Sequence, residues 1–286
     1  MPQARRPPQR RRQPDQRAPR QRSDLFSRVL VGIPAAVIAV VFIDVGGVAF
    51  ALFMIAIGCV CMSELYALLH RWKPVPVIGF AALVAMVLGA RFGTLRDVIE
   101  VAMAAVPLLF IAVLARGQAG GATVAIAGTL LGIYWVGFAF AHAELLRQLP
   151  HGKALVLDIA IGTFLGDTAA YLGGRLFGRI PLAPSISPSK TVEGLVCGAL
   201  IAIVSVYLAA ESSSAWLTHG DALLLGITIA VLGPIGDLFE SLVKRDAGAK
   251  DAGTLFGAHG GALDRLDGVM FTIVAAYYVY LAVAMH

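Results

Sequence analysis

A chain of 286 residues that is 58% hydrophobic and only 14% charged, with a mean hydropathy of +0.79, is not an ordinary soluble domain. Such domains are roughly 45–50% apolar and about 25% charged, so this composition describes a polytopic membrane protein. The net charge of +5 does not mark a nucleic-acid surface. Arg5, Arg6, Arg10, Arg11, Arg12, Arg17, Arg20, Arg22 and Arg28 lie before the first apolar run, among Pro and Gln, without an aromatic or folded basic module.

Residues 1–28 therefore read as a disordered, Arg-rich cytoplasmic arm, a determinant of topology with some attraction to anionic headgroups. Backbone amides in hydrocarbon must be satisfied internally, so the long apolar runs that follow become helices and the fold class is all-α. Nine are expected: 29–43, 46–68, 75–90, 98–115, 122–146, 155–173, 191–210, 222–243 and 268–285. With the amino terminus inside, the inner segments carry 19 of the 23 Lys and Arg, and the outer ones carry Arg91, Arg96, Arg147 and Lys153. Without the arm the bias is still 10 to 4. The chain divides into the arm, amino-terminal transmembrane helices (29–153) and a carboxyl-terminal catalytic transmembrane region (154–286).

The amino-terminal spans hold few ionisable groups. Glu64 and Glu144 lie near helix ends and Asp44 at a boundary, and all three read as snorkelling or interfacial. Cys59, Cys61 and Cys197 sit in apolar stretches and read as packing residues.

The carboxyl-terminal half differs. Four runs combine carboxylates, cations, hydroxyls and glycines: GDTAAYLGGRLFG (166–178), SISPSKTVEG (185–194), GDLFES (236–241) and KRDAGAKDAGTLFGAHGGALDRLD (244–267). Ionisable groups near hydrocarbon are costly and usually line a wet cavity or pair with one another. Asp264 and Asp267, three apart, share a helix face, and with Asp237 they offer oxygen ligands to a hard divalent cation such as Mg²⁺. Lys244, Arg245, Lys250 and Arg265 suit phosphates. Gly253, Gly257, Gly260 and Gly261 allow close backbone approach to a ligand, and Ser187, Ser189 and Thr191 can cap the next helix. Gly173 and Gly174 read as helix packing or a cap. From the residues alone, this is a membrane enzyme acting on a phosphate-rich ligand with Mg²⁺.

The run Ser241-Leu242-Val243-Lys244-Arg245, then Lys250-Asp251, His259-Gly260-Gly261 and Asp264-Arg265-Leu266-Asp267 resembles the signature of the phosphatidate cytidylyltransferase (CDP-diacylglycerol synthase) family. SPSKTVEG, GDTAAY and GDLFES resemble that family too, so the likeness is strong over 166–267 and only one of hydropathy before it. Ala252, Gly257 and Ala258 stand where the family commonly has Ser, Pro and Gly, and every charged motif position is occupied.

The resemblance implies transfer of a cytidylyl group from CTP to phosphatidic acid in phospholipid biosynthesis, with Mg²⁺, room for a second cation, and a homodimer. It implies Asp237, Asp264 and Asp267 as metal ligands, and Lys244 and Arg265 beside them as catalytic residues. The substrate-binding set it implies is Ser187, Ser189, Lys190, Thr191, Ser241, Arg245, Lys250, Asp251, His259, Gly260 and Gly261. The expected location is the inner cell membrane with the site facing the cytoplasm. Two rival classes are a CTP-dependent lipid kinase, separable by which phosphoryl group of CTP is transferred, and a transporter, which would show no turnover in detergent. The extended DG…AR…G…D…D pattern of CDP-alcohol phosphotransferases is missing.

Overall fold

The computed structural model describes residues 21–117, 120–213, 217–253 and 260–284. Its helices are α1 (Gln21–Val45), α2 (Gly47–Leu68), α3 (Pro76–Phe92), α4 (Leu95–Ala115), α5 (Ala122–Leu131), α6 (Phe138–Gln148), α7 (Gly152–Phe177), α8 (Val192–Ser213), α9 (His219–Asp246) and α10 (Leu263–Ala284). A π-turn at Gly132–Gly137 joins α5 to α6, making one apolar stretch from Ala122 to Gln148. Among the described residues, seven helices are long and apolar enough to cross a membrane, and two more apolar helices, Gly32–Val45 and Pro76–Phe92, are shorter. These nine coincide with the nine expected spans, and the protein is an all-α polytopic membrane protein.

Three boundaries differ from the sequence reading. α1 begins at Gln21, so residues 21–28 of the expected arm are helical, while residues 1–20 lie outside the described residues. The expected 174–190 loop contains a hairpin, β1 (Pro181–Ala183) antiparallel to β2 (Ser187–Thr191). Helix ends take both margins of the expected 244–267 loop: α9 runs to Asp246 and α10 starts at Leu263.

Glycine seams set the helix contacts in the carboxyl-terminal half. A Cβ at Gly194 would stand 2.6 Å from the Ala170 carbonyl oxygen, and one at Gly198 2.8 Å from that of Gly166. α7 and α8 therefore meet backbone to backbone. Gly173 and Gly174, against Cys197 and Gly194, belong to the same seam. Between α9 and α10, Gly236 faces the Asp267 carbonyl and Gly268 faces that of Gly233.

Polar contacts sort the loops to two ends. At one end Arg116 Nη1 donates to Pro74 O (3.5 Å) and Arg245 Nε to Ile186 O (3.2 Å). At the other, Arg147 donates to the Ile43 carbonyl (2.7 Å), Lys153 pairs with Asp44, and Gln148 donates to Ala90 O (2.7 Å). Glu144 is also at this second end, fully buried with Arg91 at 3.6 Å, and so does not snorkel.

Candidate active site

α9 presents Asp237 and Glu240, three residues apart and hence on one face, toward α10. α10 presents Asp267 from its second turn. The close crossing at Gly236 brings these elements together, and ligand oxygens of Asp237, Glu240 and Asp267 all lie within 4.8 Å of one another. Glu240 is 1% exposed and Asp267 8%. Asp167, on α7 in the GDTAAY run, lies within electrostatic reach of Asp237, Asp267 and Lys190.

Four acids in so little space cannot all stay ionised without cations. Two lysines come to them. Lys190, on β2 just before α8, pairs with Asp237. Lys244, one turn beyond Glu240, donates to the Glu240 carboxylate and to Asp264 Oδ1 (2.7 Å), engaging two of its three N–H groups. Glu240 Oε1 is buried without a hydrogen-bond partner among the described residues, as a carboxylate oxygen waiting for a cation would be. An all-carboxylate donor set matches a hard divalent ion.

Asp264 is not one of the three converging carboxylates but borders Glu240, with which it shares Lys244. Its Oδ2 accepts from the backbone N–H of Gly261 (2.7 Å) and of Ala252 (3.0 Å), while Oδ1 takes Lys244. Asp264 lies in the first turn of α10, where unpaired N–H groups draw a carboxylate, and the preceding loop folds back onto it. Although it shares a helix face with Asp267, Asp264 is not among the three carboxylates that converge. Glu240 instead completes the trio. The Asp237-to-Glu240 spacing within GDLFES is the available signal, since carboxylates three residues apart share a helix face.

The remaining expected residues surround this centre unevenly. Thr191 Oγ1 accepts from Gly194 N–H (3.2 Å), capping α8, while Ser187 and Ser189 lie on β2 rather than at the cap. Arg245 is exposed; besides Ile186 O, its Nη1 reaches Ala249 O (3.4 Å), so it braces the hairpin and the loop after α9. Lys250, Asp251 and Arg265 are exposed, Ser241 is half-buried, and Gly260 and Gly261 are buried. His259 lies outside the described residues. Gly253 and Gly261 are not open for a ligand: each backs onto the Glu64 carboxylate. Glu64 is 8% exposed and accepts from Leu263 N–H (2.8 Å), so it does not snorkel. A cleft of about 520 Å³ opens beside this loop, between Ala67, Leu68 and His70 on one side and Ala249, Lys250 and Asp251 on the other.

The chain is similar to known proteins over most of its length. It is 30% identical to the phosphatidate cytidylyltransferase of Bacillus subtilis (strain 168) over 270 residues, 90% of this chain and 97% of that one. It is 32% identical to the phosphatidate cytidylyltransferase of Brucella suis over 270 residues, 91% of this chain and 93% of that one. It is also 38% identical over 183 residues to the uncharacterized protein YnbB of Escherichia coli (strain K12), covering 60% of this chain and 61% of YnbB. The family model described as "Cytidylyltransferase family" matches residues 26–283, which include every helix that builds the acidic cluster. The chain belongs to the cytidylyltransferase family.

Proposed function

We propose that this protein is a phosphatidate cytidylyltransferase, which converts CTP and phosphatidic acid to CDP-diacylglycerol and pyrophosphate in the inner cell membrane. The observation that carries the reading is the buried Asp237, Glu240 and Asp267 trio flanked by Lys190 and Lys244, in a chain colinear with enzymes of that name. We assign the site to Mg²⁺, which is commonly held by one or two carboxylates with substrate phosphate oxygens and water completing its shell. When bound it would neutralise phosphate charge.

The chemistry asked of the protein is positioning. An anionic oxygen of phosphatidate forms a bond to the α-phosphorus of CTP. The bond from that phosphorus to the oxygen bridging to the β-phosphate breaks, and pyrophosphate departs with the electron pair. The nucleophile is already anionic, so no strong general base is needed, and alignment and charge neutralisation supply most of the rate. Lys190 and Lys244 stand where they can offer N–H groups to phosphate oxygens while holding Asp237 and Glu240 in place. The 520 Å³ cleft has the volume of a small-ligand site and is assigned to the nucleotide, with Lys250 at its wall. The acyl chains enter sideways from lipid past the exposed apolar faces of α7 and α8, such as Phe164, Leu172 and Leu200. The end of the bundle carrying the cluster, together with Arg71, Lys73 and Arg116, faces the cytoplasm, where CTP is found.

The test is an incubation of purified protein in mixed micelles with phosphatidic acid, Mg²⁺ and CTP labelled separately at the α- and γ-phosphorus. α-Label in lipid and γ-label in pyrophosphate are expected. γ-Label in lipid would assign a lipid kinase, and no product from folded protein would sink the reading.

A further inference from the structure

Glu64 comes from α2, far in sequence from every motif that resembles the cytidylyltransferase signature, yet it ends inside that signature. Its Oε2 accepts from the N–H of Leu263, the first residue of α10, at 2.8 Å. Leu263 is fully buried, and the carboxylate is packed so closely against Gly253 and Gly261 that neither position has room for a Cβ. Glu64 thus touches both described ends of the loop between α9 and α10. Glu64 and Glu240 both lie within electrostatic reach of the same buried thiol, Cys61.

A buried carboxylate in a membrane helix is costly unless its oxygens are satisfied. Here one oxygen meets an N–H at the positive end of α10. This bond fixes α10 along its axis relative to α2. Asp267 lies one turn farther along the same rigid helix, so its approach to Asp237 and Glu240 depends on where α10 begins. We infer that Glu64 is a positioning residue: by anchoring the first residue of α10 it sets the spacing of the three-carboxylate cation site, and Gly253 and Gly261 are glycines because the Glu64 side chain occupies the space beside them. The inference rests on the reading of Asp237, Glu240 and Asp267 as a cation site.

The experiment titrates full-length, detergent-purified protein with Mn²⁺ and reads bound metal by electron paramagnetic resonance, without nucleotide or lipid. Glu64→Asp withdraws the carboxylate by about 1.5 Å, one C–C bond. Glu64→Gln keeps the length and an oxygen acceptor. Glu64→Asp and Glu64→Ala should weaken Mn²⁺ binding about tenfold or more per monodisperse molecule, and Glu64→Gln should restore it to within about threefold of wild type. Gly261→Ala pushes a methyl into the carboxylate without removing it, and it should resemble Glu64→Asp; it carries the test if the Glu64 variants aggregate. Variants that are monodisperse and bind Mn²⁺ as wild type does would overturn the inference alone. Wild-type protein that binds no Mn²⁺ would overturn the cation reading, and this inference with it.

Discussion

Gly236 of α9 lies directly against the backbone carbonyl of Asp267 on α10: a Cβ at position 236 would stand 2.5 Å from that oxygen and 3.1 Å from the Cα of Gly268. The nearest obstacle is backbone, so no side-chain rearrangement relieves it. The same approach places Asp237, the next residue, beside Asp267. Gly236→Ala should gain up to about 1 kcal/mol in helix propensity but lose more by forcing the helices apart, for which overpacking costs of about 1–3 kcal/mol are usual. We expect a lower thermal unfolding temperature in detergent and turnover reduced at least tenfold. A variant as stable and active as wild type would show that the helices are not held this closely.

Removing a carboxylate from the cluster should act differently from removing Asp264. Asp267→Asn should reduce kcat/KM by about 10²-fold, roughly 2.7 kcal/mol, and weaken Mn²⁺ binding at least tenfold. Asp264→Asn removes the charge that holds Lys244 and two loop N–H groups. It should cost roughly 2–4 kcal/mol of stability and lower turnover, yet leave Mn²⁺ affinity within about threefold. Paired Mn²⁺ titrations and melting curves check this. Loss of metal binding in Asp264→Asn with unchanged stability would return Asp264 to the ligand set.

Lys190 pairs with Asp237, so in the proposed site it would compete with a cation for that carboxylate and would also meet phosphate. Lys190→Met should therefore not weaken Mn²⁺ binding to the substrate-free protein, while kcat/KM for CTP falls about 10²-fold. Weaker metal binding in this variant would mean that Lys190 only supports the fold of the cluster.

The orientation is checked by labelling single cysteines at positions 180, 249 and 151 in a background lacking Cys59, Cys61 and Cys197. Ile180 and Ala249 lie at the cluster end and His151 at the opposite end. In intact cells an impermeant reagent should label only position 151, and positions 180 and 249 should react after permeabilisation. Labelling of 180 or 249 from outside would invert the topology.

Sequence alone determined where the helices are. A bilayer leaves a chain no way to satisfy its backbone except within each span, so nine apolar runs became nine apolar helices with little help from tertiary contacts. The signature runs likewise announced a phosphate-handling family, because charges are rarely kept near hydrocarbon without use. Which carboxylates converge was a different matter. Asp264 and Asp267 share a helix face by spacing, but the loop before α10 folds onto Asp264 and takes its oxygens, whereas the glycine crossing at Gly236 delivers Glu240 to Asp267. Glu64 could only read as an interfacial residue, since its partner Leu263 N–H is 199 positions away. Helix formation is local and periodic. Ligand sets are decided by how helices cross and where loops fold back, and those contacts exist only once the bundle has packed.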